Sequence, residues 1–283
     1  MRHVGYEMRI FGARAHDFGR FSADELAATV KGAGFDCVQL APAKAIEGIS
    51  RIADINARHL EEIKEAFVRH GLGIAVLGCY IEPSVPDEEE RLANVKTFRD
   101  NLAHAKVLGV DIVGTETTRL PTDASNRERE TRYALLKDSV LRMTETAEKA
   151  GVNIGIEPVA GHTLNTPALT RRLLDEVRSN KLKIIFDPAN LLLPETVGEQ
   201  DRIFAEMIRL CGEDVAVMHI KNITIVDGQK VWCNMGEGLI DYRFVFDWLN
   251  SRKPHLPLMC DELRPESYGK DLNTLRRYAE GRF

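Results

Sequence analysis

The sequence lacks any apolar run long enough to span a membrane, and its first residues, Met1 to Glu7, are too polar for a signal peptide. Its five cysteines are scattered and include no Cys-x-x-Cys pair, which favours reduced thiols over a disulfide framework or a zinc ribbon. It also lacks excess positive charge: 38 basic against 43 acidic residues give a net charge of −5, which argues against a nucleic-acid partner. We therefore expect a cytoplasmic protein without nucleic-acid or membrane partners.

The chain repeats one pattern, in which a helical stretch ends at glycine and an apolar strand follows within a few residues. The five junctions are at Gly34, Gly71, Gly109, Gly151 and Gly212. Further strands are predicted near 4–10, 184–187 and 256–262, which brings the count to eight.

Two helix starts agree with this alternation. Ser22-x-x-Glu25 is a capping box, and Thr166-Pro167 places a cap residue before a proline in the first turn. No linker, charge run or low-complexity segment divides the 283 residues. The sequence therefore predicts an α/β fold, a single-domain (β/α)8 TIM barrel over residues 1–283.

Four of the predicted strands end in a side chain that can bind metal. These residues lie 30, 32 and 43 residues apart along the chain and are Glu157, Asp187, His219 and Glu262. Parallel barrel strands end at one mouth, so the four side chains are expected to converge on one divalent ion. Three carboxylates and one imidazole favour Mn²⁺ or Mg²⁺, with Co²⁺, Ni²⁺ or Zn²⁺ as possible substitutes. The alternative is that each residue is a solvated group at a strand end.

Strand alternation extends the predicted site. On the seventh strand His219 and Lys221 share a face, and on the eighth Glu262 and Arg264 do so. A cation beside a carboxylate-rich site suits a substrate oxygen or carboxylate, so both basic residues are predicted to bind substrate.

Three loop residues at the same mouth are further candidates for substrate contact. His16 follows the first strand, Glu116 ends the fourth, and His162 lies in the loop after Glu157. Each has a plainer alternative: a surface histidine for His16 and His162, and a loop cap for Glu116.

The segment from Ile223 to Trp232 contains Asp227-Gly228 and predicts a β-hairpin after the seventh strand, placed to cover the mouth. Trp232 is expected either to anchor this flap or to stack on a sugar. Gly236-Glu237-Gly238 is a poor phosphate loop because its glutamate would repel phosphate. A non-phosphorylated sugar or polyol derivative is therefore favoured.

Several of these segments resemble the xylose-isomerase-like TIM barrels, a superfamily of sugar isomerases, ketose 3-epimerases, inosose dehydratases and related apurinic endonucleases. The resemblance spans essentially the whole chain and is clearest in Ile156-Glu157-Pro158, Phe186-Asp187-Pro188-Ala189-Asn190, Met218-His219-Ile220-Lys221 and Gly236-Glu237-Gly238. It implies that Glu157, Asp187, His219 and Glu262 bind the metal, that Glu157 and Glu262 act as acid and base, and that the protein is a homodimer or homotetramer.

One position departs from the sugar epimerases. These usually place a histidine three residues after the strand-six aspartate, where this chain has Asn190. An amide can hydrogen-bond a substrate hydroxyl but cannot shuttle a proton, so Asn190 is predicted only to bind substrate.

The site suits an isomerase or epimerase of a sugar or sugar-derived keto compound, working by proton transfer through a metal-stabilised enediolate. A lyase that expels water from the same enediolate, as an inosose dehydratase does, is the main alternative. An apurinic endonuclease and a non-catalytic sugar-binding barrel stay open as further alternatives.

Overall fold

The structure is a computed structural model and describes residues 9–283. The strands are β1 Phe11–Arg14, β2 Cys37–Leu40, β3 Gly73–Gly78, β4 Ile112–Thr115, β5 Asn153–Ile156, β6 Leu182–Phe186, β7 Val215–Ile220, β8 Asn222–Val226, β9 Gln229–Cys233 and β10 Leu258–Cys260. The α-helices are α1 Ala23–Gly32, α2 Pro42–Ala45, α3 Ala57–His70, α4 Glu88–Leu108, α5 Asn126–Ala150, α6 Pro167–Val177, α7 Gln200–Cys211, α8 Arg243–Arg252 and α9 Tyr268–Ala279. Short 3-10 helices cover Ala15–Phe18, Ile52–Asp54, Pro194–Glu199 and Gly212–Asp214.

Eight parallel strands within the described residues close into a barrel, in the order β1-β10-β7-β6-β5-β4-β3-β2. The closing pair joins Phe11 to Leu258 and Ala13 to Cys260, while Gly12 pairs with Cys37 on the other side of β1. Strands β8 and β9 form a separate antiparallel hairpin. The predicted (β/α)8 barrel is confirmed.

Most of the predicted first strand, residues 4–10, is not tested by the structure. Residues 4–8 lie outside the described part of the chain, and residues 9 and 10 belong to no strand. The first described strand is β1, Phe11–Arg14. His16 still follows that strand directly, in the 3-10 helix Ala15–Phe18.

The helix boundaries follow the predicted caps, with one exception. Ser22 and Glu25 form the predicted capping box, and the Thr166 side chain accepts from the amide of Leu169 at the start of α6. Gly212 is the exception, because its φ of −56° is right-handed and it continues into a 3-10 turn. A Cβ at Gly212 would lie 3.3 Å from the Trp248 side chain, so this glycine provides room for packing and not a left-handed cap.

The buried apolar residues form two groups. The larger group packs between the barrel and its surrounding helices. The smaller group fills the barrel interior and is here called the barrel plug: Cys37, Val76, Ile112, Ile185, Val217 and Met259. The plug fills the barrel interior, and Asp187 and His219 each lie two residues beyond one of its members, Ile185 and Val217. None of the helices in residues 9–283 combines the length and apolar composition that a membrane crossing requires.

Candidate metal centre

Three of the predicted metal ligands meet at the carboxyl end of the barrel. Glu157 follows β5, Asp187 follows β6 and His219 lies on β7, so they come from three neighbouring strands. One possible ligand atom of each lies within 4.8 Å of those of the other two. All three residues are buried, Asp187 completely. The structure thus places two carboxylates and an imidazole where barrels of this type carry their active sites.

In both carboxylates of this triad one oxygen is anchored by the protein. The backbone amides of Ala189 and Asn190 donate to Asp187 Oδ1 at 2.9 and 3.2 Å, which leaves Asp187 Oδ2 buried without a hydrogen bond. The side-chain amide of Asn190 donates to Glu157 Oε1 at 2.5 Å, and Glu157 Oε2 faces His219. Each carboxylate is therefore held in place and still directs one oxygen to the shared centre.

The imidazole of His219 is held in the same way. Its Nε2 lies 2.9 Å from Gln39 Oε1, while its Nδ1 lies 3.2 Å from Glu157 Oε2 without hydrogen-bond alignment. Two carboxylate oxygens and a ring nitrogen are donors that a divalent cation accepts, and two of the three, Asp187 Oδ2 and His219 Nδ1, are buried without a hydrogen bond. The residues present fit a bound divalent metal.

Lys221 lies next to this centre, on the same face of the chain as His219. Its Nζ donates to Asp261 Oδ2 at 2.6 Å and lies 2.9 Å from Asp187 Oδ2, in an ion pair without hydrogen-bond alignment. Burial alone would lower the pKa of Lys221, but the charges of Asp187 and Asp261 outweigh burial and raise it well above its ordinary value. The ammonium therefore stays charged and bridges β6 and β10.

On β10 the residues expected to face the barrel interior are the wrong alternate set. Met259 packs in the barrel plug, whereas Leu258 and Cys260 pack with the larger apolar group outside the barrel. Asp261, two residues after Met259, therefore faces the centre, where it bonds Lys221 and lies 2.8 Å from Arg14. The run Leu258-Met259-Cys260 is apolar throughout, so the sequence does not reveal which alternate residues face inward.

Glu262 lies at the rim of the mouth. Its φ of 58° is left-handed, its side chain is 32% exposed, and its Oε1 lies 3.1 Å from Arg14. Among the described residues, the group of mutually close ligand atoms contains Glu157, Asp187 and His219 but not Glu262. A metal-binding role for Glu262 stays a prediction.

Burial and mutual charge set the ionisation of the triad. Burial opposes the charge of Glu157, but the neighbouring His219 outweighs it and lowers the pKa of the carboxyl. Burial likewise opposes the charge of His219, yet Glu157 raises the pKa of the imidazole. For Asp187 burial is the stronger influence, and its pKa is raised. The Lys221 ammonium now neutralises part of the buried negative charge. A cation among these groups would offset more of the free-energy cost of burying the carboxylates.

Glu116 and His162, both predicted to contact substrate, form a pair beside the triad. Glu116 Oε2 lies 3.7 Å from His162 Nδ1, and the backbone amide of Glu157 donates to the carbonyl of Thr115, so Glu116 adjoins Glu157 across the sheet. Burial, with the charge of Glu157, raises the pKa of Glu116 to about 7. Burial, with the charge of Arg119, lowers the pKa of His162.

His16 lies on the opposite side of the mouth, where it contacts Tyr80 edge to face with ring centroids 6.1 Å apart. Its Nδ1 is buried without a hydrogen bond. Burial, together with the charges of Arg14 and Lys44, lowers the pKa of His16 to about 3. Its imidazole is therefore neutral at pH 7 and can act as donor or acceptor.

The remaining predicted substrate residues, Asn190 and Arg264, are placed differently. Asn190 is buried against Glu157, where it orients a carboxylate. Arg264 is exposed, and its guanidinium donates to the carbonyl of Trp232 at 3.0 Å. The structure thus brings Asn190 into the centre and ties Arg264 to the hairpin.

Four residues near the centre were missed by the sequence analysis: Arg14, Gln39, Tyr80 and Asp261. Gln39 and Asp261 each follow a residue of the barrel plug by two positions, but only the structure shows which apolar residues form the plug. The Arg14 guanidinium lies within 3.1 Å of carboxylate oxygens of Asp17, Asp261 and Glu262, and no signal in the sequence marks these contacts.

The predicted hairpin is confirmed as β8 and β9. Asp227 and Gly228 both have positive φ, of 49° and 73°, as the tight turn requires. Lys230 Nζ donates to the carbonyls of Ala189 and Leu192 at 3.0 Å, which ties the hairpin to the loop after β6. The Trp232 ring centre lies 4.5 Å from Lys221 Nζ, so Trp232 covers the cation at the edge of the metal centre.

Solved structures with this architecture include sugar-converting enzymes. A D-tagatose 3-epimerase-like protein has a TM-score of 0.77 at 19% identity, with 96% of this chain and 97% of that chain covered. The 3-keto-D-glucoside 4-epimerase of E. coli has a TM-score of 0.73 at 21% identity, with 95% and 99% covered. The IolI protein with a zinc atom has a TM-score of 0.70 at 18% identity, with 95% and 96% covered.

A search of curated protein sequences finds no match. At these identities the structural likeness shows the fold alone, so the family assignment depends on a separate finding. The model of the family described as xylose isomerase-like TIM barrel matches residues 27–278, nearly the whole length, and the chain therefore belongs to that family.

Proposed function

We propose that the protein is a divalent-metal-dependent isomerase or epimerase of a non-phosphorylated sugar or a sugar-derived keto compound. One observation carries the proposal: Glu157, Asp187 and His219 direct ligand atoms to one buried point above the barrel plug, where Asp187 Oδ2 and His219 Nδ1 have no hydrogen bond. Burying such groups is costly, and a bound cation would offset that cost more fully than the ion pairs with Lys221 and within the triad do. The sugar epimerases of the same fold support the choice of substrate class.

Glu157, Asp187 and His219 would hold the metal, with Mn²⁺ as the first choice and Mg²⁺, Co²⁺ or Zn²⁺ as substitutes. When bound, such an ion acts as a Lewis acid on a substrate carbonyl and its neighbouring hydroxyl. A fourth donor from the end of β10 completes the set. The sequence predicts Glu262 for this position, and neither Glu262 nor Asp261 belongs to the group of mutually close ligand atoms among the described residues. We propose Asp261, because it is buried and shares Lys221 with Asp187.

Proton transfer is assigned to Glu157 and Glu262. The Glu157 carboxylate takes the proton from the substrate carbon, while Asn190 donates to Oε1 and keeps the carboxylate oriented. Glu262, at the rim beside Arg14, would donate its own carboxyl proton from the other side, and exchange with water would then restore the starting forms of both carboxyls. Return to the opposite face of the same carbon gives epimerisation, and return to the neighbouring carbon gives isomerisation.

The other polar groups at the mouth would bind the substrate. Lys221 offers an ammonium to a developing oxygen charge. His16 and the Glu116–His162 pair face the mouth from opposite sides and hydrogen-bond hydroxyls. Trp232, on the hairpin that Arg264 and Lys230 tie down, covers the centre and limits the access of water.

Dehydration is the second candidate, and Glu116 favours it. A carboxyl with its pKa raised to about 7 is partly protonated at neutral pH and can donate a proton to a departing hydroxyl. A keto compound with a hydroxyl on the carbon next to the deprotonated one would then lose water in place of regaining the proton.

The test is a panel of free ketoses, aldoses and keto-inositols in deuterated water, with protein loaded with Mn²⁺, Mg²⁺, Co²⁺ or Zn²⁺. After chelation of the metal, NMR locates deuterium and mass spectrometry detects loss of water. Deuterium at one carbon without loss of mass supports isomerisation or epimerisation, and loss of one water supports the lyase. Absence of both products while metal binds would point to a sugar-binding barrel, and cleavage of abasic DNA would point to an endonuclease.

Asp187→Asn is the control in each assay because its side chain keeps an oxygen for the Ala189 and Asn190 amides but loses the charge. Any turnover that this variant retains at the wild-type rate comes from a contaminant or another site. Assembly as a homodimer or homotetramer and a cytoplasmic location stay predictions.

A further inference from the structure

Gln39 links the metal centre to the opposite wall of the barrel. It lies on β2 and is 5% exposed. Its Oε1 lies 2.9 Å from His219 Nε2, and its Nε2 donates to the Tyr80 hydroxyl at 3.0 Å. The sequence gives no reason to single out this residue, and the proton transfers proposed above do not use it.

We propose that Gln39 is a positioning residue that fixes the His219 tautomer. With Oε1 against His219 Nε2, that ring nitrogen must carry a hydrogen, because two lone pairs at 2.9 Å would repel each other. The other ring nitrogen, Nδ1, is then left to bind a cation from its position beside Glu157. This inference depends on the proposed metal site for its purpose, but the tautomer is a property of the protein itself.

Tyr80 holds the far end of the Gln39 side chain. In the structure the Gln39 amide group donates to the Tyr80 hydroxyl and the amide oxygen faces His219. A tyrosine hydroxyl both donates and accepts, so the experiment below, and not Tyr80, distinguishes this orientation from the reversed one. If the amide were reversed, its NH₂ group would donate to His219 Nε2. Nδ1 would then carry the proton towards Glu157 and could not bind metal. The two orientations of the Gln39 amide therefore predict different positions for the His219 ring proton: Nε2 for the observed orientation and Nδ1 for the reversed one.

The test combines ring-nitrogen NMR with metal titration of the full-length protein. In protein labelled with ¹⁵N-histidine, we expect a proton on His219 Nε2 without metal, and coordination through Nδ1 when Zn²⁺ is added. In Gln39→Leu we expect the protected Nε2 proton to be lost and Zn²⁺ affinity to fall by about 10- to 100-fold, as for other outer-shell partners of metal ligands. Gln39→Glu keeps an acceptor and should restore most of the affinity.

Gln200→Leu is the matched control. Gln200 also makes two hydrogen bonds through its amide, to the carbonyl of Leu239 and the backbone amide of Asp241, outside the metal centre. This variant loses the same type of contact and should keep wild-type Zn²⁺ affinity. If Gln200→Leu and Gln39→Leu lose affinity equally, general destabilisation explains both and the positioning role is rejected.

Two other outcomes overturn the inference, and they are distinct from failure of the proposed function. A proton on Nδ1 in place of Nε2 in the metal-free wild type rejects the tautomer. Unchanged Zn²⁺ affinity in Gln39→Leu rejects the positioning role. If the wild type binds no metal, the proposed function fails, while the Nε2 proton still tests whether Gln39 fixes the tautomer.

Discussion

The barrel interior has two levels, built from the same strands. On β6, Ile185 belongs to the apolar plug and Asp187, two residues later, belongs to the metal centre. On β7, Val217 and His219 repeat the arrangement. One step of strand alternation therefore separates a residue that packs from one that carries chemistry.

The two levels contribute to stability in opposite ways. Burying the plug removes apolar surface from water, which favours folding at about 25 cal/mol per Å². At the upper level, charged groups are buried, and their desolvation is offset only by their mutual pairing. The plug thus stabilises the barrel. The charged centre above it lowers stability in the absence of a ligand, and a bound ligand would offset that loss.

The largest effect that would distinguish the levels is expected for Asp187→Asn. We expect metal affinity to fall by more than about 100-fold, because outer-shell changes alone cost 10- to 100-fold. Turnover should fall by about 1,000-fold or more, at the upper end of what one electrostatic group contributes. Calorimetric titration with Mn²⁺ or Zn²⁺ and the deuterium assay measure the two losses. Wild-type metal affinity in this variant would remove Asp187 from the ligand set.

Ile185→Ala is the counterpart one level lower on the same strand. Removing most of a fully buried side chain from the plug should lower the free energy of unfolding by about 2–5 kcal/mol. Metal affinity of the folded protein should stay within about threefold of wild type, since the ligands stand on the unchanged strand end above. Urea unfolding and metal titration on the same samples check both parts. A loss of metal affinity as large as in Asp187→Asn would show that the two levels are not independent.

Alternation of strand and helix, with caps such as Ser22–Glu25, was enough to predict the barrel, because each element has a local signal. The triad was predictable for a related reason: Glu157, Asp187 and His219 each end an apolar run, and parallel strands end together. The last strand shows the limit. Leu258-Met259-Cys260 is apolar on both faces, so the inward set is decided by packing against the plug, which is a contact between distant segments.

Gln39 and Arg14 show a second limit. Arg14 contacts Asp261 and Glu262 after the last barrel strand, and Gln39 contacts His219, 180 residues away. Their roles therefore depend on which distant segments meet across the closed barrel. Local pattern predicts which residues reach the mouth but not which of them touch there.

Asp261 and Glu262 extend the comparison to two adjacent carboxylates, one facing the centre and one at the rim. Asp261→Asn should lower metal affinity by at least about 10-fold, the smaller of the losses seen for outer-shell changes. Glu262→Gln should keep metal affinity and lower turnover by about 100-fold or more, as expected for loss of an acid-base group. Titration and turnover of both variants separate the roles. If Glu262→Gln loses metal affinity and Asp261→Asn keeps it, Glu262 is the fourth ligand, as the sequence predicts.

The smallest expected effect is a pH dependence at His16, on the side of the mouth away from the triad. Burial, with Arg14 and Lys44, lowers the pKa of His16 to about 3, below the roughly 6.5 of an unfolded histidine. The folded state therefore disfavours protonation, and the stability associated with neutral His16 is present above pH 6.5 and is lost as the pH falls towards 3. When the pH is lowered from 7 to 4.5, the free energy of unfolding should fall less in the His16→Gln variant than in the wild type, as measured by urea unfolding.

A second variant tests the cause of the shift. Lys44→Met, which removes one of the two cations, should raise the pKa of His16 in an NMR titration. A His16 that titrates near 6.5 in the wild type would show that this side of the mouth is open to water, and a substrate contact there would then need a different basis.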